Sequence, residues 1–232
     1  MILRPASLAD VDGMLAVKRE LRMDAAAADG ARGGFLLGAS AEQYAFFVQH
    51  ANVHVLEDDG GSVAGFAVAL PDAVLRATEL WARRRAIAWV GDGGDADGWD
   101  AVEDEPVAYF DQLAVRPARR FRSYAPALAF AALHALAASG HRHVFATTVR
   151  EPVLNRASHP LLRAAGARRV GEIDEEYPEV GRILSDVYHL PIDRETTRRL
   201  AESSRAGRRV ARMVDRLSGA SADPSMGAAI MT

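Results

Sequence analysis

From Tyr109 to Leu128 the sequence reads YFDQLAVRPARRFRSYAPAL, a pattern that strongly constrains the fold. Its first part is typical of a buried strand, Arg116–Ser123 is a basic turn, and an alanine-rich helix begins at Tyr124. The first N–H groups of a helix have no partner within the helix and lie at the positive end of its dipole. Because nearby arginines add charge-assisted hydrogen bonds, the stretch predicts a pyrophosphate site. A solvated basic turn is the alternative.

Working outward from this stretch, strands and helices alternate along most of the chain. Val53–Glu57 and Ser62–Leu70 flank an Asp-Asp-Gly-Gly turn and predict a hairpin. The other predicted elements are a strand at Ile2–Arg4 before a first helix, a helix at Ser40–His50, a helical pattern at 73–90, a strand at Val107–Val115, a helix at Tyr124–Ser139 with Gly140 as C-cap, a strand at His143–Val149, a helix at Asn155–Ala165, and strands at Arg168–Ile173 and Ile183–Leu190. The order predicts an α/β fold with a mixed sheet.

Three segments lie outside this regular pattern. Asp24–Gly34 and Gly91–Glu105 are rich in small and acidic residues and are predicted to be loops, the second within an insert at 72–106. After residue 192 the composition changes. Thr196–Leu217 predicts a polar, arginine-rich helix, and Ser218–Thr232 a flexible tail. We therefore expect one domain over 1–192 and an appended helical extension with tail over 193–232.

The composition excludes several kinds of protein. The 232 residues include no cysteine, which excludes disulfides, thiolate nucleophiles and cysteine-ligated zinc, and the histidines have no metal-like spacing. The net charge of −3 argues against nucleic acid as a partner. The first residues lack a basic segment followed by an apolar run, and no apolar stretch approaches about 18 residues. We expect a soluble, cytoplasmic protein without metal or membrane partner, and the arginine- and alanine-rich composition suggests a bacterial source.

The stretch also resembles the signature of the GNAT (GCN5-related N-acetyltransferase) superfamily. Leu113–Pro117 fits the Leu-Ala-Val-x-Pro strand end of that family, and Arg120–Ala125 falls where its Arg/Gln-x-x-Gly-x-Gly/Ala turn opens a helix. Asn155 is followed after eleven residues by Gly166, as in the second family landmark. The resemblance covers about 1–192 and implies the GNAT fold, a mixed, mostly antiparallel central sheet flanked by helices. It further implies acetyl-CoA as the acyl donor.

The resemblance assigns the binding of acetyl-CoA to particular residues. The residues it implies are Leu113, Ala114 and Val115 for the acyl and pantetheine parts, Arg120, Phe121, Arg122, Ser123, Tyr124 and Ala125 for the pyrophosphate, and Asn155. Two of them depart from the family pattern, because Phe121 and Ser123 stand where glycine is usual and glycine lets the backbone approach phosphate closely. A second register that starts at Arg122 also satisfies a looser pattern, but the register from Arg120 fits Pro117 and Leu128.

Catalysis requires a base for the acceptor ammonium and a proton source for the departing thiolate. Asp111 is the candidate base, since the family often has a glutamate four residues before Val115; its structural alternative is an ion pair with an arginine. Strand alternation places Tyr109, Asp111, Leu113 and Val115 on one face and Gln112 on the other. The family's tyrosine acid is replaced by Leu162, so that Tyr188 or water becomes the candidate donor.

The acceptor amine, a small molecule or a peptide, is not identified by the sequence. An acidic segment between the last two strands would favour a cationic acceptor or is a solvated turn; it contains Glu172, Asp174, Glu175, Glu176 and Glu179. Arg83–Arg85, with Trp81 and Trp89 nearby, would favour an anionic one or form a solvated face. The C-terminal helix is expected to dock on its own domain or on a second copy of the chain.

These observations favour an enzyme that transfers an acetyl or short acyl group from acetyl-CoA to an amine by direct attack in a ternary complex. The first alternative is an acyl-CoA-binding sensor or scaffold without turnover, which Phe121, Ser123 and Leu162 motivate. A less favoured alternative is a nucleic-acid-associated module that acts through the C-terminal helix.

Overall fold

The computed structural model describes residues 1–21, 39–90, 104–177, 181–203, 205 and 207–211. Its strands are β1 (Ile2–Pro5), β2 (Asn52–Glu57), β3 (Val63–Leu70), β4 (Ala88–Trp89), β5 (Val107–Val115), β6 (His143–Glu151), β7 (Arg168–Tyr177) and β8 (Gly181–Pro191). Its helices are α1 (Val11–Glu20), α2 (Ala41–His50), α3 (Asp72–Arg76), α4 (Glu79–Arg83), α5 (Arg119–Arg122), α6 (Ala125–Ala138), α7 (His159–Ala164) and α8 (Arg194–Glu202). Short 3-10 helices span Leu8–Asp10 and Arg84–Ala86.

The eight strands of the described residues form one sheet in the order β1-β2-β3-β5-β6-β8-β7-β4. β5 and β6 run parallel, whereas the other neighbouring pairs are antiparallel. Helices flank the sheet. The predicted mixed, mostly antiparallel α/β sheet is confirmed, as is the hairpin of β2 and β3, whose turn contains Gly61 at a φ of 79°.

The parallel pair in the middle of the sheet separates along its length. Val107–Tyr109 of β5 pair with His143–Phe145 of β6, and the pairing ends there. Beyond this point β5 remains paired with β3, and β6 remains paired with β8. The sheet therefore opens between β5 and β6, and the backbone groups on the two facing edges become available to other partners.

Each face of the sheet has its own apolar core. On one face α1 and α2 contribute the fully buried Met14, Val17 and Tyr44, which belong to the same cluster as Phe66 of β3 and Phe145 of β6. On the other face α6 is apolar on all sides and packs against β2, β3 and β5. A helix of that composition must be covered on its outer side as well.

The C-terminal extension provides this cover. α8 packs against α6 and α7, and Leu200 and Ala201 are 0% and 1% exposed within the same core as Leu133 and Leu136. Burial of one leucine side chain contributes about 2 kcal/mol. Asp193 caps the helix by accepting the N–H of Thr196 at 2.6 Å. The extension thus docks on its own chain. No helix of the described residues has the length and apolar character needed to cross a membrane.

Several predicted elements differ from the structure. Residues 73–90 are not one helix, because the chain breaks at Thr78 and Ile87, and Ala88–Trp89 instead add an edge strand to β7. The acidic segment is not a turn, since Asp174 and Glu176 belong to β7. The predicted Thr196–Leu217 helix is interrupted after α8. The loop predicted at Asp24–Gly34, most of the loop at Gly91–Glu105, Glu179 and the predicted tail lie outside the described residues.

Candidate active site

A cavity of about 550 Å³ lies where β5 and β6 separate, between Tyr109–Val115 and Ala146–Val149. Two groups of residues complete its walls. On what we call the α6 side these are Arg122, Ala125, Pro126, Asn155, Ala157, Ser158, Pro160, Leu161, Leu162 and Ser203. On the α4 side they are Leu21, Leu80, Arg83, Arg84, Ile87, Ile173, Glu175, Tyr177, Ile183, Ser185 and Val187. The lining residues thus come from both faces of the sheet, with β5 between them.

Asp111 lies in this cavity because β5 bulges. Gln112 is opposite Val68 of β3, but Phe110 is already opposite Ala69, which leaves Asp111 as an extra residue in the strand. The bulge turns the carboxylate and the amide of Gln112 toward each other, and Gln112 Nε2 donates to Asp111 Oδ2 at 2.9 Å. The amide is held in turn by Tyr44, whose O–H donates to Gln112 Oε1 at 2.6 Å.

The same bulge makes the predicted distribution of side chains on β5 wrong. Asp111 and Gln112 do not lie on opposite faces, because the extra residue interrupts the alternation between them. Leu113 and Val115 pack with the α6 core, whereas Tyr109 and Ala114 belong to the core of α1 and α2. Asp111 is therefore separated from Leu113 and Val115 and shares a face with Tyr109.

Burial dominates the electrostatics of Asp111. It raises the pKa of this carboxyl from the ordinary 3.8 to about 6, against the opposing effects of the Gln112 hydrogen bond and the charge of Lys18 on α1. Among the described residues, no arginine contributes to this change in the pKa of Asp111. The alternative role of Asp111, an ion pair with an arginine, therefore does not account for its electrostatics. A carboxyl that titrates near pH 6 in a cavity has the properties required of a general base.

Two tyrosines that sequence reasoning did not assign to the site, Tyr109 and Tyr177, also line the cavity. The hydroxyls of Tyr109 and Thr147 are 2.7 Å apart across the two strands, and burial raises the pKa of Tyr109. Burial likewise raises the pKa of Tyr177 to about 12, with the charge of Glu175 as the next cause. Both phenols are therefore neutral hydrogen-bond donors at physiological pH.

The basic turn after β5 is shorter and more helical than predicted. α5 occupies Arg119–Arg122, and Ser123 has a φ of −65°, a conformation open to any residue. Phe121 is 3% exposed and anchors the turn in the α6 core. The local backbone at Ser123 thus does not require the glycine that the family pattern has there, and Phe121 has a packing role.

Only part of this turn reaches the cavity. Arg122 and Ala125 line it, together with Pro126 in the first turn of α6. Arg120 is exposed, with its guanidinium carbon 4.5 Å from the ring centre of Phe121. The hydroxyl of Ser123, also exposed, donates to the carbonyl of Arg120 at 3.3 Å. The helix start and one arginine thus face the α6 side, at the edge of the opened sheet.

Asn155 faces the same side from the turn that follows β6. Its backbone N–H donates to Val149 at 2.9 Å, and its neighbour Ser158 is 2.7 Å from Thr148, hydroxyl to hydroxyl. α7 begins at His159, with Ser158 as its N-cap and Pro160 in its first turn, which leaves Asn155 ahead of the helix. The side-chain oxygen of Asn155 is buried and has no hydrogen-bond partner among the described residues. It is therefore an acceptor available to a ligand in the cavity.

The structure brings together some of the predicted site residues and separates others. Those that line the cavity are Asp111, Leu113, Ala114, Val115, Arg122, Ala125 and Asn155. Those that do not line it are Arg120, Phe121, Ser123, Tyr124 and Tyr188. Tyr188 points to the α6 core, on the face of β8 opposite to Val187. It is thus not positioned beside Asp111. Within the described ranges, no three His, Asp or Glu side chains form a group that could hold a metal ion.

The chain is similar to known acetyltransferases in sequence and in fold. The model of the acetyltransferase (GNAT) family matches residues 22–167, and no curated protein matches. Naa20 of Chaetomium thermophilum, solved with a bisubstrate analogue, has a TM-score of 0.55 at 12% identity, over 85% of this chain and 90% of that one. The Salmonella typhimurium acetyltransferase yncA, solved with acetyl-CoA, has a TM-score of 0.50 at 16% identity, over 83% and 94%.

A third structure gives the same result. The ribosomal-protein-S18-alanine N-acetyltransferase of Escherichia coli has a TM-score of 0.52 at 15% identity, over 83% of this chain and 94% of that one. At such identities these three likenesses concern the fold. The family model, by contrast, spans more than half of the sequence, including β5, the basic turn and Asn155. The chain therefore belongs to the GNAT acetyltransferase family.

Proposed function

We propose that this protein binds acetyl-CoA in the opened sheet and transfers the acetyl group to an amine by direct attack within a ternary complex. The observation that carries the proposal is the cavity between β5 and β6, which is lined by residues from both faces of the sheet and by Asp111. The α6 side receives acetyl-CoA and the α4 side receives the amine. The two reactants then meet beside the bulge in β5.

The α6 side has the groups that acetyl-CoA requires. The edge of β5 at Leu113–Val115 offers backbone groups to the acyl and pantetheine amides, as an added strand would use them. The buried oxygen of Asn155 accepts an N–H from the pantetheine arm, which satisfies its unfilled hydrogen-bonding capacity. Arg122 and the start of α6 hold the pyrophosphate, while Arg120 contributes charge from the surface.

The remaining residues of the proposed cosubstrate site act indirectly. Phe121 fixes the turn by its burial, and the helical backbone of Ser123 and Tyr124 leads the chain into α6. These residues position Arg122 and Ala125 rather than line the cavity. This division of roles explains why a turn that lacks the usual glycines is compatible with a phosphate site.

Asp111 supplies the base. Its carboxylate accepts a proton from the acceptor ammonium, directly or through a water molecule, and the free amine then attacks the thioester carbonyl carbon. The carbon–nitrogen bond forms, the carbon–sulfur bond breaks, and CoA leaves as the thiolate. The thiolate takes its proton from water, since Leu162 has no acidic proton and Tyr188 does not line the cavity.

Two measurements on the full chain test this function. Calorimetric titration with acetyl-CoA should give binding, and release of free thiol from acetyl-CoA should require an amine acceptor. Absence of binding would reject the proposal. Binding without thiol release over a broad amine panel would favour the acyl-CoA sensor instead. The nucleic-acid alternative has less support, because Leu200 and Ala201 of the C-terminal extension are buried in its own domain.

A further inference from the structure

The hydrogen bond between Gln112 and Asp111 depends on how the amide of Gln112 is oriented. A glutamine side chain ends in an acceptor, Oε1, and a donor group, Nε2, and the two exchange places when the amide turns by half a turn. Gln112 is 8% exposed, its Nε2 donates to Asp111 Oδ2 at 2.9 Å, and its Oε1 accepts from the Tyr44 hydroxyl at 2.6 Å. The amide therefore joins the candidate base to a second buried side chain, which lies on another element of the fold.

Tyr44 fixes one end of this amide. It lies on α2, is 0% exposed, and packs edge-to-face against Phe66 of β3, with the ring centres 5.6 Å apart. Burial raises the pKa of Tyr44, so the hydroxyl keeps its proton and acts as a donor. Among the described residues, its hydrogen-bond acceptor is Gln112. The core thus sets the position of the ring, and the hydroxyl meets the amide at the end that does not face Asp111.

The hydroxyl of Tyr44 favours one of the two amide orientations. In the reverse orientation Oε1 would face the carboxylate of Asp111, and the O–H of Tyr44 would lose its acceptor in a fully buried position. Both effects are unfavourable while Asp111 is ionised. In the observed orientation the amide N–H donates to the carboxylate, and a hydrogen bond to the charged form of an acid stabilises that form.

Removal of the Tyr44 hydroxyl would change this balance. The amide would then be free to turn when Asp111 is protonated, because the reverse orientation would no longer leave a buried O–H unpaired. In that orientation Oε1 accepts from the protonated carboxyl of Asp111, so the neutral form gains an acceptor for its O–H. The proton affinity of the base would therefore rise.

Among the groups around Asp111, the amide has the largest effect in favour of the carboxylate. Lys18 of α1 also stabilises the carboxylate by its charge, but this effect is smaller than that of the Gln112 hydrogen bond. The phenols of Tyr109 on β5 and Tyr177 on β7 are neutral near pH 7, since burial raises the pKa of each. Other charged residues line the cavity without being a cause of the change in the pKa of Asp111; they are Arg83, Arg84, Arg122 and Glu175.

Given the proposed function, we infer that Tyr44 is a positioning residue for the reaction. Through the amide of Gln112 it holds Asp111 in the ionised form, which accepts the proton of the acceptor ammonium. Tyr44 does not itself line the cavity, whereas Gln112 does. It therefore acts on the reaction through the amide and not by contact with either reactant.

The first test measures the pKa of Asp111 without any substrate. The full-length protein is isotope-labelled at the aspartate carboxyl carbons and titrated by NMR, and the Asp111 signal is assigned by its absence in Asp111→Asn. We expect Tyr44→Phe to raise this pKa from about 6 by about one pH unit, the size of one hydrogen bond to a titrating group. A pKa that is unchanged or lower in Tyr44→Phe would overturn the inference.

Two comparisons show whether Tyr44 acts through the amide. Gln112→Met keeps most of the side-chain volume and removes the donor, so it should raise the pKa of Asp111 at least as much as Tyr44→Phe. The double variant should raise it no further than Gln112→Met alone, since the hydroxyl has no amide left to orient. Tyr188→Phe, which removes a hydroxyl from a tyrosine outside the cavity lining, should leave the pKa unchanged. Additive effects in the double variant, or an equal rise in Tyr188→Phe, would contradict the inference.

The second test is the pH dependence of acetyl transfer. Thiol release is measured for wild type and Tyr44→Phe with one amine that the panel shows to be acetylated, so that titration of the amine cancels in the ratio of their kcat/KM values. The ratio of variant to wild type should be about one fifth at pH 6 and close to one at pH 9. A deficit of the same size at both pH values would indicate a merely structural role and contradict the inference.

The two tests separate this inference from the proposed function. If wild type neither binds acetyl-CoA nor releases thiol, the proposed function fails and the catalytic part of the inference fails with it, whereas the NMR titration still decides whether Tyr44 controls the protonation of Asp111. If thiol is released and the pKa of Asp111 does not respond to Tyr44→Phe, the proposed function stands and the inference is wrong.

Discussion

Substitution of Asp111 by asparagine should make this protein less active and more stable at the same time. Asparagine is nearly isosteric, and its side-chain oxygen can still accept the hydrogen bond from Gln112 Nε2 that Asp111 accepts at 2.9 Å. The change therefore removes the charge and the basicity while it preserves the local contact. Loss of a general base costs about 10²- to 10⁴-fold in rate, which is the expected fall in kcat/KM for the acceptor.

The effect on stability follows from the pKa of the same group. Burial raises the pKa of Asp111 from 3.8 to about 6, so the folded state resists ionisation relative to the unfolded chain. A rise of that size in the pKa lowers the free energy of unfolding by up to about 3 kcal/mol. This cost develops as the pH rises from 3.8 and is fully present above about pH 6. The cost vanishes below pH 3.8, where the carboxyl is protonated in both states. Asp111→Asn should therefore be more stable than wild type by about 1–3 kcal/mol at pH 8 and nearly equal to it at pH 4.

Two assays check these expectations on one preparation. In urea denaturation at pH 8 and pH 4, the midpoint of the variant should exceed that of wild type at the higher pH alone. In thiol release, wild-type kcat/KM should fall about tenfold from pH 7 to pH 5, because a pKa of about 6 leaves about a tenth of Asp111 ionised at pH 5. The variant should lack this dependence. A variant that is less stable at pH 8, or that retains both activity and pH profile, would refute the role of Asp111.

Three further substitutions test other parts of the structure. Asn155→Ala should weaken acetyl-CoA binding by about 2- to 10-fold in calorimetry, as expected for one hydrogen bond, whereas Asn52→Ala on β2 should not weaken it. Leu200→Ala should lower the free energy of unfolding by about 2–5 kcal/mol in urea denaturation, because the side chain is 0% exposed between α8 and the α6 core. Burial lowers the pKa of His54. Because the unfolded chain then gains a proton more readily than the folded protein, the free energy of unfolding of wild type should decrease as the pH falls below about 6.5. In urea denaturation, the decrease from pH 7 to pH 5 should be smaller for His54→Leu than for wild type.

Elements set by local sequence could be predicted. β5 begins and ends at the predicted residues Val107 and Val115 because its apolar run is bounded by Pro106 and by Arg116-Pro117. Gly140 and Gly166 follow helices with φ values of 91° and 70°, the left-handed conformation that favours glycine at a helix end. The order of strand end, basic turn and helix start could likewise be recognised, since the three are adjacent in the chain.

Features that depend on contacts between distant segments could not be predicted. Ile87–Trp89 has a helical pattern in the sequence, but pairing of Ala88–Trp89 with β7 makes it an edge strand. The ion pair of Arg83 and Glu175 joins residues 92 positions apart, so the local pattern could suggest each of them as an acceptor-binding residue but not their pairing. Tyr177 was missed as a cavity residue for the same reason.

The bulge at Asp111 illustrates the limit most clearly. Alternation along a strand assumes one residue per partner, and nothing in the apolar pattern of Val107–Val115 marks the extra residue. A single inserted position changes which core every later side chain of β5 enters. The identity of Asp111 as a candidate base could be inferred from its place before Val115, whereas its neighbours Gln112 and Tyr44 required the three-dimensional structure.

The bulge and the opened sheet belong to one physical arrangement. A carboxylate in the middle of a sheet is costly unless polar groups face it, and the bulge brings Gln112 to Asp111 while Tyr44 occupies the other end of the same amide. The separation of β5 from β6 leaves backbone edges open, which costs stability in the free protein and is compensated when a ligand with amide groups binds there. Two apolar cores, one on each face, hold the opened strands in place, and the second of them is completed by α8. The bulge and the open strand edges are thus the features that the proposed reaction uses, and the two cores, with α8 packed on the second, hold them in place.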